Sequence, residues 1–195
     1  MKPQTVFFIA VFLLASTFSF AQNQESRFAF ELSGGPAWAV SQKGISDLKT
    51  GVGFEGVFHY RFMPHTGVYA GWGWNKFAAE TSFAGNQVDL EETGYVFGLQ
   101  FKHPIGNSPL AYYLRAAGLY NHYEMENEQG EIMIDTKHGL GWQLAAGFDI
   151  PLSAAWHLTP GLKFNALDRD FSSGGVDRNL KINYLTARVG ILKKF

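Results

Sequence analysis

The chain has no cysteine among its 195 residues. This excludes a disulfide framework, thiolate metal sites, a cysteine nucleophile and the lipid-bearing cysteine of a lipoprotein. Charge is sparse and balanced, with 16 basic and 17 acidic residues and a net charge of −1, so the basic patch of a nucleic-acid binder is missing. Long apolar runs are also scarce. Val6–Ala15 is a single ten-residue stretch behind Lys2, followed by Ser19 and Ala21 at the −3 and −1 places of a cleavage site and then by polar Gln22–Glu25. A membrane-crossing helix needs about 20 apolar residues. The run therefore reads as a secretory leader, 1–21, with a mature chain of 22–195. Mean hydropathy is only −0.08, far below that of a helical membrane protein.

What is abundant is aromatic and small: 18 Phe, 8 Tyr, 5 Trp and 22 Gly. That composition suits strands. The mature chain shows period-two alternation in eight segments, the mark of strands with two unlike faces. Phe28, Phe30 and Leu32 oppose Ala29, Glu31 and Ser33, and Val52, Phe54, Phe58, Tyr60 and Phe62 oppose Gly53, Glu55, Val57, His59 and Arg61. The pattern recurs at about 67–77, 93–102, 110–123, 138–150, 156–166 and 180–195. In the last segment it changes parity near Tyr184–Leu185, which predicts a β-bulge there. One face is bulky and apolar, the other small, polar or charged. A barrel of eight strands has little interior room, so the bulky face belongs outside, in lipid.

The predicted connections alternate as well. Residues 63–66, 103–109 and 151–155 read as short turns, and 39–50, 78–92, 124–137 and 168–179 as longer loops. The expected fold is all-β: an eight-stranded antiparallel transmembrane up-and-down β-barrel with short periplasmic turns, four longer extracellular loops and both termini in the periplasm. Trp38, Trp74, Tyr95, Tyr120, Trp142 and Tyr184 would form an outer aromatic belt, and Phe28, Phe62, Phe101, Tyr112, Trp156 and Phe195 an inner one.

These features resemble small bacterial outer-membrane barrels of the OmpA-transmembrane, OmpX and opacity-protein type. The resemblance extends over nearly the whole mature chain and includes the ending Leu185-Thr-Ala-Arg-Val-Gly-Ile-Leu-Lys-Lys-Phe195. It implies that Phe195 serves as the signal for the barrel-assembly machinery and that the surroundings are outer-membrane lipid and lipopolysaccharide. Lys193 departs from the family pattern, where an apolar residue is usual, and can snorkel to the headgroups.

No motif supplies a catalytic, cofactor or metal site. The residues that stand out are the inward charges Glu31, Glu55, Arg61, Lys102, Arg115, Asp149, Lys163 and Arg188. Buried charges must pair, so they are expected to form an interior network, with Glu31 paired to Arg188 where the first and last strands meet. Such a network fills the barrel. The competing reading is a narrow hydrated ion path. His122 and His138 flank the third loop near carboxylates and would suit a divalent metal, but HExxH-like spacing is absent. Gly130–Ile134 would extend the hairpin there.

The expected role is that of a non-enzymatic structural or interaction protein whose extracellular loops are available for adhesion, ligand contact or envelope integrity. Two alternatives stay open. A lipid A-modifying enzyme would draw on Ser82, Ser172 or Ser173 with His122 or His138. A soluble lipocalin-like carrier would turn the apolar face inward.

Overall fold

The computed structural model describes residues 26–82, 85–127, 129–173 and 175–195, and the expected leader, 1–21, lies outside the described residues. The chain forms β1 (Phe28–Lys43), β2 (Ile45–Leu48), β3 (Gly51–Arg61), β4 (Thr66–Ser82), β5 (Gly85–Pro104), β6 (Ala111–Glu126), β7 (Ile132–Asp135), β8 (Gly139–Pro151), β9 (Trp156–Leu158), β10 (Gly161–Ser173) and β11 (Val176–Lys194). All pairings are antiparallel, and the ring closes in the order β1, β3, β4, β5, β6, β8, β10, β11 and back to β1. That is a barrel of eight wall strands.

The shorter segments belong to the same wall. Leu158 faces Ile150 and Ile191, while Gly161 faces Gly147 and Arg188, so β9 and β10 share one register. The break between them includes Pro160, which has no N–H to give. β2 pairs with β4 directly beyond the end of β3, so the two make one strand with an irregularity at Lys49–Thr50. At the C-terminus the Phe195 N–H donates to the Phe28 carbonyl at 3.0 Å, and the Lys193 ammonium lies over the rings of Trp156 and Phe195.

The pairings fix the stagger. From Phe28 the rungs run through Tyr60, Val68, Leu99, Ala116, Leu144, Phe164 and Leu185 to Trp38. One circuit climbs 38 − 28 = 10 residues. Ten rises of about 3.3 Å against eight spacings of about 4.8 Å give a strand tilt of about 40°. β5, with 20 residues, then stands about 50 Å tall, against an apolar membrane band of about 25 Å. Roughly half of the barrel rises out of the membrane as a crown.

The inside-out pattern inverts along β4, β5, β6, β10 and β11 to match. Toward the short turns, Phe28, Phe58, Phe97, Leu114, Leu144, Leu162 and Val189 face outward while Glu31, Glu55, Arg115, Lys163 and Arg188 are buried. Toward the long hairpins the parity is unchanged but the chemistry is exchanged. Phe77, Val88, Leu90, Tyr123, Met125, Leu167, Leu180 and Ile182 are buried in one apolar cluster. Outward lie Lys76, Asp89, Glu91, His122, Glu124, Glu126, Asp168 and Lys181. A wall in lipid exposes apolar groups and hides polar ones, and a wall in water does the reverse.

Three expectations are corrected by this. β11 alternates without a break from Leu180 to Leu192, so the parity change at Tyr184–Leu185 is no bulge. It is the point where the interior turns from apolar to polar, and the register shift lies across the ladder between Ala39 and Ser41 of β1. Tyr184 is buried in the lumen, not in the outer belt, while Trp38, Tyr95, Tyr120 and Trp142 do face outward. The four long loops are also largely absent as loops. β1 turns into β2 at Gly44 (φ 87°), the β4–β5 ladder reaches Ser82–Gly85, β7 pairs with β6, and the β10–β11 ladder reaches Ser173–Val176 beside Gly175 (φ 77°).

Candidate functional site

The lumen collects the sequence-predicted charges and bridges them across the ring. Glu31, on β1, and Arg115, four strands away on β6, meet at 2.5 Å in the middle of the barrel. Glu31 also accepts from Thr159 at 3.0 Å and contacts His59 at 3.1 Å. The Arg115 guanidinium lies 4.2 Å from the Tyr113 ring centroid and 5.4 Å from that of Tyr69, and its Nε donates to Gln100 at 2.8 Å. Two glycines make this stack possible: a Cβ on Gly147 or Gly161 would strike the Tyr113 hydroxyl.

A second layer joins Glu55 to Lys163, with Gln143 donating to Glu55 at 3.2 Å and to Asn165 at 3.0 Å. Tyr69 donates to Gln143 at 3.3 Å. A third layer centres on Glu92, which accepts from Tyr184, Asn121 and Asn75. Above it Arg169 donates to the carbonyls of Asn121, Leu140, Asp168 and Gly139 at 2.7–2.9 Å, just below the apolar crown core. Around Glu55 and Glu92 the free space is only about 10 Å³, room for one water at most.

The expected Glu31–Arg188 pair is not formed. Arg188 donates to Asn75, while Glu31 is taken by Arg115, His59 and Thr159. The cause is reach: long side chains cross a lumen this narrow, so Glu31 meets its arginine on the opposite wall, at Arg115 of β6, and not at Arg188 of the adjacent β11. Lys102 and Asp149 pair at 2.8 Å near the short-turn end, with His157 on the same carboxylate. Arg61 reaches the Ser26 carbonyl at 3.5 Å. There the lumen opens as a cavity of about 740 Å³ lined by Arg27, Arg61, Lys102, Asp149 and His157, with His59 at its inner wall.

Sequence reasoning overlooked Tyr69 and Tyr113, although both lie on the inward parity of their strands, and it assigned Glu92 and Arg169 to loops. Of the groups considered for serine–histidine chemistry, Ser172 and His122 each hold a carboxylate partner instead. Ser172 donates to Asp177 in the β10–β11 hairpin and His122 contacts Asp135 of β7, while the side chains of Ser82 and Ser173 lie outside the described ones.

On the outer face of the crown, Lys76 contacts Glu91 at 2.8 Å, Asp89 at 2.9 Å and Glu126 at 3.6 Å. The hydrogen bond to Glu91 holds the Lys76 ammonium above the usual lysine range. Burial pushes the Asp135 carboxyl up, but hydrogen bonds from His122 and from the Lys137 N–H outweigh it and leave Asp135 below its ordinary value.

The family described as outer membrane protein beta-barrel domain matches residues 8–191. The chain belongs to this family. It is an outer-membrane β-barrel protein, and the apolar wall read from the fold is its lipid face. Among curated proteins no sequence match is found. Solved structures with the same fold include Neisserial surface protein A, at 14% identity and a TM-score of 0.64, covering 87% of this chain and 98% of that one. OprG from Pseudomonas aeruginosa aligns at 14% identity and a TM-score of 0.54, over 88% and 97% of the two chains. AlkL, solved in DMPC bilayers, aligns at 12% identity and a TM-score of 0.54, over 91% and 95%. At these identities the likeness concerns the fold alone.

Proposed function

We propose that this barrel is a non-enzymatic surface protein whose crown projects outside the cell and meets its partners there, and that it is not a conduit. The observation that carries this reading is the cross-lumen bridging: Glu31 to Arg115, Glu55 to Lys163 and Gln143, and Glu92 to Tyr184 join opposite walls. A lumen filled in this way and capped by a dry apolar core leaves the outer surface of the crown as the working part. That surface is acidic around Glu91, Glu124, Glu126 and Asp135, which favours extracellular partners with basic surfaces.

In this arrangement both termini lie in the periplasm, residues 1–21 are removed on export, and 22–195 form the mature barrel. The assembly machinery reads the terminal Phe195, and lipid and lipopolysaccharide surround the aromatic belts. The cysteine-free chain makes the orientation directly testable. A single Ile132→Cys at the exposed start of β7 should react with a membrane-impermeant maleimide on intact cells, and Ser108→Cys in a short turn should not. The refolded protein should give no steady conductance in planar bilayers. Reversed labelling overturns the orientation, and steady single-channel steps overturn the plugged lumen. An unchanged lipid A mass profile on deletion supports the non-enzymatic role, and a changed profile overturns it.

A further inference from the structure

The outer face of the crown carries a second cluster that neither the lumen nor the Lys76 group uses. His122 and Glu124 are successive outward residues of β6, and the β6–β7 pairing sets Asp135 directly beside Glu124. His122 Nδ1 lies 3.0 Å from Asp135 Oδ1 and 3.9 Å from Glu124 Oε1. One ligand atom from each of the three residues lies within 4.8 Å of the others. A second imidazole, His138, lies flat on the first, with centroids 4.3 Å apart and planes 15° apart. His138 is itself held against Tyr120 and Tyr95 of the outer aromatic belt. The His122 ring is thus fixed from one side while its Nδ1 edge faces two carboxylates.

We propose that His122, Glu124 and Asp135 form a binding site for a divalent metal of the zinc class, with His138 as the wall that orients His122. Ligands on a tetrahedral zinc stand about 3.3 Å apart. The two His122 separations bracket that distance and the two carboxylate oxygens lie within 4.8 Å of each other, so side-chain adjustments of about 1.5 Å or less seat the ion. The donor set decides the class of metal. Calcium and magnesium take oxygen ligands, whereas imidazole with carboxylates suits zinc and its first-row neighbours. Three protein donors leave one coordination position free, turned outward from the crown, for water or for an oxygen ligand of a partner. The neighbouring trio of Glu91, Glu124 and Glu126 shares Glu124 but differs, because Lys76 already pairs with its other two members, Glu91 and Glu126.

The test is calorimetric titration of the tag-free full-length mature chain, refolded in detergent, with zinc chloride and separately with calcium chloride. The site predicts one zinc per chain and no calcium binding over the same concentrations. His122→Ala, Glu124→Gln and Asp135→Asn should each weaken zinc binding at least about tenfold. These residues face outward, and heat-modifiable gel migration establishes which variants are folded. A chain with both His65→Ala and His103→Ala, which removes the stacked histidine pair at the opposite end, should bind zinc as the parent does. The proposal is overturned if the parent chain binds no zinc, if calcium binds as well as zinc, or if folded variants of the cluster keep the parent affinity. Loss of binding in the His65/His103 variant alone would overturn it too. Should a β6 variant fail to fold, Asp135→Asn on β7 decides the matter by the same criterion.

Discussion

Removing Glu31 is the sharpest perturbation of the lumen. Glu31 and Arg115 are about 1% and 4% exposed, so neither has water to fall back on. In Glu31→Ala the guanidinium keeps the Gln100 hydrogen bond and its ring contacts, and its Nη1 has no hydrogen-bond partner among the described residues even in the parent protein. Leaving a buried charge uncompensated costs about 3–5 kcal/mol. The Thr159 hydroxyl also loses an acceptor, which adds about 1 kcal/mol. Arg115→Met strands the carboxylate instead and should cost a similar amount. The double variant Glu31→Leu with Arg115→Met leaves no charge behind, and such replacements are often neutral or stabilising. It should therefore lie within about 2 kcal/mol of the parent, a coupling of several kcal/mol. Equilibrium urea unfolding in lipid vesicles, followed by tryptophan fluorescence and gel mobility, reads all four proteins. A Glu31→Ala cost below about 1 kcal/mol would refute the reasoning, as would a double variant whose loss equals the sum of the single ones.

Other outcomes follow from the same structure. Phe77→Ala and Ile182→Ala empty space in the dry crown core, where large-to-small changes cost about 2–5 kcal/mol. Limited proteolysis should then cut in the crown while the heat-modifiable membrane barrel persists; loss of the whole barrel would contradict a separable crown core. Gly161→Val drives a side chain into the Tyr113 hydroxyl and the Ala146 carbonyl and should destabilise by about 1–3 kcal/mol, relieved only in part when Tyr113→Ala is added. Lys76→Met should cost about 1 kcal/mol or less, diminishing with added salt, because Lys76 is partly exposed. With its pKa raised by Glu91, the Lys76 contribution is present at neutral pH and is lost only as the pH rises past the ordinary lysine range. Urea midpoints of parent and variant against pH measure this, and a difference already gone at neutral pH would contradict it.

Much of the wall was legible in the sequence because one parity rule governs each strand. Phe28, Phe30 and Leu32 against Glu31 and Ser33, or Leu185, Ala187, Val189 and Ile191 against Arg188, announce the lipid face without reference to any partner strand. The crown was not legible by the same rule, because Leu180 and Ile182 obey the opposite one. A reader holding to a single rule must invent a register slip at Tyr184, when what changes is the solvent. Glu91 and Asp168 likewise look like loop residues until they are placed on the wet outer face of a continuing strand. The partners in the lumen depend on the ten-residue stagger, which alternation does not encode. Parity puts Glu31 inside, but only the closed ring sets it opposite Arg115. The three crown residues proposed for metal share this limit: His122 and Glu124 are neighbours in sequence, whereas Asp135 joins them only once β7 pairs with β6.

Along β11 the chemistry inverts at the membrane surface while the strand parity does not. The natural absence of cysteine allows single spin labels to be placed at Lys181, Asn183, Leu185, Ala187 and Val189, one outward position after another along β11. In bilayers, oxygen accessibility should rise and water-soluble nickel-chelate accessibility should fall between positions 183 and 185, with labels at Ile182 and Thr186 shielded from both. A swap of shielded and accessible positions across Tyr184 would contradict the account, since it would mean that the strand slips and not that its surroundings change.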